Sequence, residues 1–240
     1  MDFKNVDDVK NNPYTALLYC APGVGKSTAI GLIAEATEGK TLVLDVDRTI
    51  RRTLAKKEVV KDTSRMYFVE IDNIKTFTDW TNTLKELNEM HLSGEMAKQG
   101  IVNIAVDNIS ELERCILSHL GSEGKNKGVP AQADYQYMQF KLVNSLRFMK
   151  TWGVNIIWTA WETMEQFTNP DGTQYSTLGP QINKKVVNNI CGLCDVVGKI
   201  LAKQDGTRGI ILEATQNIYA KNQIDKRKGC LVQDFTKWEV

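Results

Sequence analysis

Two rhythms of apolar residues divide the chain. Short continuous runs at residues 16–19, 41–46, 66–71, 101–106 and 154–159 have the length of buried strands, the last rich in β-branched and aromatic side chains. Between them, apolar positions recur every three or four residues. Ile30, Ile33 and Ala34 mark a helix over 27–35, Phe77, Trp80, Leu84 and Leu87 one over 75–92, and Ile109, Leu112, Ile116 and Leu120 one that begins near Ser110. A further helix is predicted from about 131 to 152. Segment 121–130 reads as a loop rich in Gly and Lys, and 168–180 as a long polar loop. Runs at 194–201 and 209–212 flank a turn at 204–206 and predict a C-terminal β-hairpin. Strands alternating with helices predict an α/β fold whose central sheet is mostly parallel and covered by helices on both faces. Residues 1–240 contain no internal repeat, low-complexity tract or Pro/Ser-rich linker, and read as a single domain.

Composition narrows the class. Apolar residues make up 42% of the chain and charged residues 25%, a balance that sets aside the disordered and fibrous classes. No apolar run approaches the roughly 20 residues that span a bilayer, and residues 1–12 are polar and acidic where a leader would be basic and then apolar. A cytoplasmic protein with no membrane partner is expected. The five cysteines, scattered from Cys20 to Cys230, do not form a disulfide framework and read as free thiols. Cys191 and Cys194 have metal-ligand spacing, but without a second pair they read as buried structural thiols. A formal net charge of +1 argues against bulk electrostatic binding of nucleic acid, so any such contact has to come from local patches.

The run at 16–19 leads straight into Ala21-Pro22-Gly23-Val24-Gly25-Lys26-Ser27-Thr28 and then into a helix. From Gly25 onward this is the Walker A pattern G-x-x-x-x-G-K-[ST], in the strand, loop and helix setting that the pattern requires. Cys20 stands in the place of its first Gly, at the end of the strand, where a side chain is more readily tolerated. The glycines let successive N–H groups and the helix N-terminus face phosphate oxygens, Lys26 neutralises the β and γ oxygens, and the Ser27 hydroxyl ligates Mg2+. Pro22, Gly23, Val24, Gly25, Lys26, Ser27 and Thr28 are therefore the candidate ATP-binding residues. Downstream, the apolar run 101–106 delivers Asp107 to the C-terminal end of a strand, a Walker B arrangement in which the carboxylate holds magnesium through water. Asp107 is also placed to cap the following helix, and the two roles are compatible.

Hydrolysis needs a carboxylate that orients the attacking water, and its position separates the P-loop classes. AAA+ proteins carry a Glu directly after the Walker B Asp, where this chain has Asn108. RecA-type ATPases place the acid, commonly as Asp-x-Glu, at the end of the strand after the P-loop helix, where Leu44-Asp45-Val46-Asp47 stands. Asp47 thus occupies the water-orienting position with a shorter arm, and Asp45 shapes the turn. The alternative is a solvated acidic turn that caps the next helix. With APGVGKST, LDVD, AVDNISELE, IIWTAWE, GPQI and AKNQIDKRKG in this order, the chain resembles the phage nucleotide-binding ATPases of the RecA core, also described as AAA domains, which include Sak-type single-strand annealing proteins. The resemblance spans residues 13 to about 229. It implies a RecA-like P-loop core, ATP-dependent binding of single-stranded DNA, and a role in phage recombination in the host cytoplasm. Asp47 for Glu and Cys20 for Gly depart from the family pattern.

Carried across by that resemblance, Thr159 and Glu162 stand where such proteins sense the γ-phosphate. The loop 163–185 stands where they bind DNA, and contains Gln166, Phe167, Asn169, Tyr175, Lys184 and Lys185. An earlier loop adds Lys125 and Lys127, with Tyr135 and Tyr137 behind them. Rings that stack on bases and cations that follow a backbone suit a single strand. Without the resemblance, each loop reads as a flexible surface connection. Lys221, Lys226, Arg227 and Lys228 are placed to reach a neighbour's ATP, which implies a homo-oligomer, either filament or ring, with a single-strand-binding protein as a further partner. As a plain basic turn they form a solvated face. The run Arg48, Arg51, Arg52, Lys56 and Lys57 reads as one solvated helix face, and Trp152, Trp158 and Trp161 as packing residues. Two competing functions are an ATP-switched helicase loader or partner protein, and a small-molecule kinase. The second is disfavoured because segment 163–185 contains no arginine for a phosphate lid.

Overall fold

The apolar runs become the strands of one sheet in the computed structural model, which describes residues 12–238. The polar start of the chain, residues 1–11, lies outside the described residues. The parallel strands are β1 (Thr15–Cys20), β2 (Lys40–Asp45), β3 (Met66–Glu70), β4 (Ile101–Asp107), β5 (Asn155–Thr168) and β7 (Val196–Ala202). They lie in the order β7-β1-β5-β4-β2-β3, so β1 has β5 and β7 as parallel neighbours. Alternation along the strands assigns two cores. Leu17 and Tyr19 of β1, Ile104 and Val106 of β4, and Ile156 and Trp158 of β5 join a core with α3 (Thr76–Leu92), α5 (Ile109–Glu123), α6 (Gln132–Met149) and α7 (Val187–Leu193). Ala16, Leu18 and Cys20, with Ala105 and Ile157, pack on the opposite face against α1 (Lys26–Ala36) and α2 (Ile50–Leu54). Helices on both faces of a mostly parallel sheet is the architecture expected from the sequence. A short α4 (Glu95–Lys98) precedes β4, and no helix among the described residues is long and apolar enough to cross a membrane.

The expected C-terminal hairpin is formed by β7 and β8 (Arg208–Ile211), with Lys199 opposite Ile211 and Ala202 opposite Arg208. Two further short strands, β9 (Lys221–Asn222) and β10 (Gly229–Leu231), pair with β7 and β8. The last described residues pack back on α1, where Tyr14, Phe235 and Trp238 meet edge to face at 4.8–5.7 Å between ring centroids.

One sequence expectation is corrected. Segment 168–180 is not a long loop: β5 continues past the sheet to Thr168 and returns as β6 (Gln174–Pro180), paired from Glu162–Pro180 out to Thr168–Gln174. The hairpin leaves the sheet, and its protruding residues are exposed or half-buried, so they show no continuous apolar run. A tight turn closes it, with the Asn169 N–H bonded to the Thr173 carbonyl, the Asp171 carboxylate accepting from Thr173, and Gly172 at φ +85°.

At the N-terminal ends of the central strands, a buried polar ladder fixes the register. The Asn103 amide donates to Thr41 Oγ1 at 3.0 Å and accepts from Asn155 at 2.8 Å, and Asn155 in turn accepts from the Tyr14 N–H at 3.1 Å. Four strands are tied in this way at the pole opposite the candidate site. Asn103→Ala leaves a buried partner unpaired on either side, and is expected to cost about 2–4 kcal/mol. Urea unfolding should show a lower midpoint with an unchanged slope. A loss below about 0.5 kcal/mol would mean that the ladder does not contribute to stability.

Candidate functional site

The loop between β1 and α1 carries the site. Gly23 and Gly25 adopt φ values of +81° and +124°, which side-chain-bearing residues rarely take, and between them they turn the chain so that α1 starts at Lys26. Cys20, in the place of the motif's first Gly, ends β1 fully buried, beside Trp161 of β5 in the pairing register. Burial raises its thiol pKa, which makes it a packing residue rather than a nucleophile. The P-loop lines a cleft of about 410 Å³ together with Asp47, Thr49, Trp161 and Arg208.

Asp107 is the centre of the arrangement. Its carboxylate is fully buried and accepts from Ser27 Oγ at 2.7 Å and from Thr159 Oγ1 at 2.7 Å. Its main-chain carbonyl accepts from the Val46 and Asp47 N–H groups at 2.8 and 3.3 Å, binding the end of β2 to the end of β4. The peptide bond to Asn108 is cis. Capping of α5 falls to Asn108, whose Oδ1 accepts from the Glu111 N–H at 2.9 Å. The capping role considered for Asp107 is thus taken by its neighbour, which leaves the Asp107 carboxylate to the P-loop.

Asp47 stands at the cleft with both oxygens held. Asn108 Nδ2 donates to Oδ2 at 2.9 Å, and the Thr49 N–H and hydroxyl donate to Oδ1 at 3.2 and 2.7 Å. Asn108, in the position where AAA+ proteins carry an acid, therefore orients the acid contributed by β2. Asp45 lies directly opposite Asp107 in the β2–β4 register, with its side chain buried. Burial, then the charges of Asp107 and Asp47, push the Asp45 carboxyl up to about 6. Burial and the Asp47 charge push Asp107 up to about 6 as well, against the pull of the Ser27 and Thr159 hydroxyls and Lys26. A buried carboxylate hydrogen-bonded to a hydroxyl offers hard oxygen donors of the kind a divalent cation takes. Ser27 and Asp107 are the residues that would hold it.

Other expected site residues are placed differently. The Glu162 carboxylate is not in the cleft; it forms a largely buried ion pair with Lys199 of β7, whose ammonium lies 6.0 Å from the centroid of the Tyr19 ring. Only Thr159 of the expected sensing pair reaches the site, through Asp107. Lys221 and Arg227 do not point outward to a neighbour either. Lys221 Nζ donates to the carbonyls of Cys191, Gly192 and Cys194 at 3.3, 3.1 and 2.6 Å, closing the C-terminal end of α7. Arg227 pairs with Asp225, donates to the Asp234 and Phe235 carbonyls, and lies over Trp238 at 4.7 Å. Lys226 remains exposed. These corrections share a cause: a basic run in sequence does not tell which side chains find carbonyls within the same chain. Trp152 and Trp158 are buried as expected, whereas Trp161 lines the cleft with Arg114 over its ring at 4.5 Å.

Comparison with known proteins agrees with this geometry. A family model described as the AAA domain matches residues 12–224. The chain belongs to the AAA domain family. No match emerged among curated proteins. An ATP synthase subunit from Nanoarcheaum equitans superposes with a TM-score of 0.50 at 12% identity, over 81% of this chain and 48% of that one. A type III secretion system ATPase of pathogenic bacteria gives 0.47 at 14% identity, over 83% and 55% of the two chains. A KaiC-like protein from Pyrococcus horikoshii gives 0.45 at 14% identity, over 83% and 79%. This chain of the AAA domain family spans about half the length of the first two structures, and it shares with the first an α/β fold whose mostly parallel sheet is flanked by helices.

Within this AAA domain, the raised Asp107 pKa has a measurable consequence. Folding favours the neutral carboxyl, so its contribution to stability is present below the unfolded value of 3.8 and is lost as pH rises through about 6. Asp107→Asn removes that loss. Relative to the parent, the variant free of nucleotide should gain on the order of 1–3 kcal/mol between pH 4 and pH 7.5. Urea unfolding at both pH values checks this, and a difference independent of pH would contradict it.

Proposed function

We propose that the chain is an ATPase that binds single-stranded DNA under the control of its nucleotide site, acting in recombination by annealing or strand exchange, as its resemblance to phage RecA-core ATPases implies. The observation that carries this reading is the path of β5. Thr159, near its middle, is bonded to Asp107 beside the P-loop, and the same strand continues to Phe167 in the protruding hairpin. Phe167 stacks on Tyr175 with ring centroids 5.4 Å apart and planes 22° apart, and Phe167 is 42% exposed. In this reading β5 is the element that would carry a change at Asp107 to the rings.

In this reading the DNA meets lysines and rings on the segments that flank α6 and the hairpin. Lys185 shares a cleft of about 390 Å³ with Tyr135 and Gln139 of α6, and Lys184 lies 3.5 Å from Glu165 of the hairpin. Lys125 and Lys127 are exposed in the loop that precedes α6. Aromatic faces flanked by lysines offer stacking and backbone neutralisation without reading sequence. Exposed Tyr137 and Phe140 on α6 offer surface for assembly into a homo-oligomer, which belongs to this reading as does a single DNA-binding RecA-like unit over the whole chain.

At the nucleotide, the P-loop N–H groups and Lys26 bind the phosphates, and Asp47, held by Asn108 and Thr49, orients the attacking water. Magnesium, held by Ser27 and through Asp107, would supply charge neutralisation on the β and γ oxygens. Asp47→Asn should retain ATP binding and slow turnover by on the order of a hundredfold. If Asp107→Asn were the slower variant with normal magnesium affinity, the water-orienting group would lie on β4 instead.

The DNA reading is tested by gel shift with single- and double-stranded oligonucleotides, with and without ATP. Single strands should bind preferentially and in an ATP-dependent way. Phe167→Ala and Tyr175→Ala should each weaken single-strand binding by about 1–3 kcal/mol. Unchanged affinity in both variants would remove the hairpin from the interface, and no DNA binding at all would favour an ATP-switched partner protein.

A further inference from the structure

Arg208 lies outside every motif, yet its side chain rests on the P-loop. It opens β8 directly after the turn from β7, which is closed by the Gly206 N–H on the Lys203 carbonyl at 3.0 Å and the Thr207 N–H on Asp205 Oδ1 at 2.8 Å. A β-carbon on Gly25 would stand 2.4 Å from Arg208 Nε and 3.2 Å from its Cδ. The φ of +124° is what requires glycine at position 25, and the arginine side chain packs directly against it.

The guanidinium has little to bind in its own chain. Nη1 donates to the Gly206 carbonyl at 2.8 Å, but Nε is buried with no acceptor among the described residues, and Arg208 has no carboxylate partner among them. A guanidinium stays charged in proteins, and a buried N–H of such a group demands an acceptor. The surface it faces is the N–H-rich turn beside Lys26, which attracts anions. Arg208 also lines the same cleft as Lys26, Ser27 and Asp47.

We propose that Arg208 is a second phosphate-binding cation of this site, supplied by the same chain, and that its guanidinium contacts a phosphate oxygen of the bound nucleoside triphosphate beside Lys26. The inference rests on the P-loop reading. It gives the site a cation in cis, where the sequence reading placed trans cations at Lys221, Lys226 and Arg227, and it joins the β7–β8 hairpin to the phosphates. Through Lys199 and Glu162, the same hairpin is tied to the base of the β5–β6 hairpin. A contact at Arg208 thus links the phosphates to both hairpins.

The test compares the parent chain with Arg208→Gln, Arg208→Lys and Lys26→Ala by calorimetric titration with Mg-ATP and by thermal melting. Arg208→Gln should weaken ATP binding at least tenfold, and Arg208→Lys should weaken it less, because the charge is kept and the planar fork is lost. The nucleotide-free melting temperature of Arg208→Gln should hold or rise, while the increase on adding Mg-ATP should shrink; a merely structural arginine would do the reverse. ATP affinity within twofold of the parent overturns the proposal. If the parent itself fails to bind ATP, the P-loop reading falls with it, an outcome separable from the first because Lys26→Ala then behaves like the parent. Mixing Arg208→Gln with Lys26→Ala should give no ATPase beyond the sum of the two. Recovery in the mixture would mean that Arg208 serves a neighbour, and would overturn the assignment in cis.

Discussion

Everything at the site depends on one carboxylate that the fold takes out of water. Asp107 holds α1 through Ser27, β5 through Thr159, and the end of β2 through its carbonyl, so four elements meet on one residue. Its burial beside Asp45 and Asp47 is unfavourable for three negative charges, which is why the carboxyl pKa values of Asp107 and Asp45 rise towards neutrality. A site built this way favours the arrival of cations. The strain is electrostatic rather than steric, and it is relieved by the ligand class that a P-loop selects, a polyphosphate bound with a divalent ion.

The opposite pole of the sheet shows why such a cluster is tolerated. There the buried polar groups are amides and hydroxyls that satisfy one another, from Thr41 through Asn103 and Asn155 to Tyr14. They fix the register of β1, β2, β4 and β5 without net charge, so the strands reach the C-terminal edge already aligned. Asp107, Asp45 and Thr159 need no further contacts to find their places. Mutually hydrogen-bonded amides at one end thus align the strands that carry incompletely compensated carboxylates at the other, at the end where ligands of parallel sheets bind.

Much of this was legible in the sequence because it depends on local pattern. The P-loop shows itself through Gly23, Gly25, Lys26 and Ser27, and β4 through an apolar run that ends in Asp107, since a buried parallel strand must be apolar on both faces. The β5–β6 hairpin was not legible. It stands clear of the sheet, so Thr163, Glu165 and Gln166 alternate with Met164 and Phe167 in a pattern that resembles a polar loop. Glu162 misled for a different reason: its position at the end of the central strand was right, but Lys199, thirty-seven residues later, claims its carboxylate. Pairing across the β1–β7 neighbourhood is a property of topology, and no local window contains it.

The cations of the C-terminal third illustrate the same limit, and they also sort the candidates by a physical rule. Lys199 is spent on Glu162, Lys221 on the last carbonyls of α7, and Arg227 on Asp225 and two main-chain oxygens. Each has an acceptor within the chain, so moving it to a phosphate would leave a buried partner unpaired, a cost that opposes any role in trans. Arg208 is the reverse case: its Nε is buried with no acceptor among the described residues, and it packs on a turn of N–H groups that itself calls for an anion. A guanidinium N–H and a turn of main-chain N–H groups facing the same space are stabilised by something negative between them. The polyphosphate that the P-loop selects fits that description, so the arginine that lies outside every motif is the one the site most needs filled.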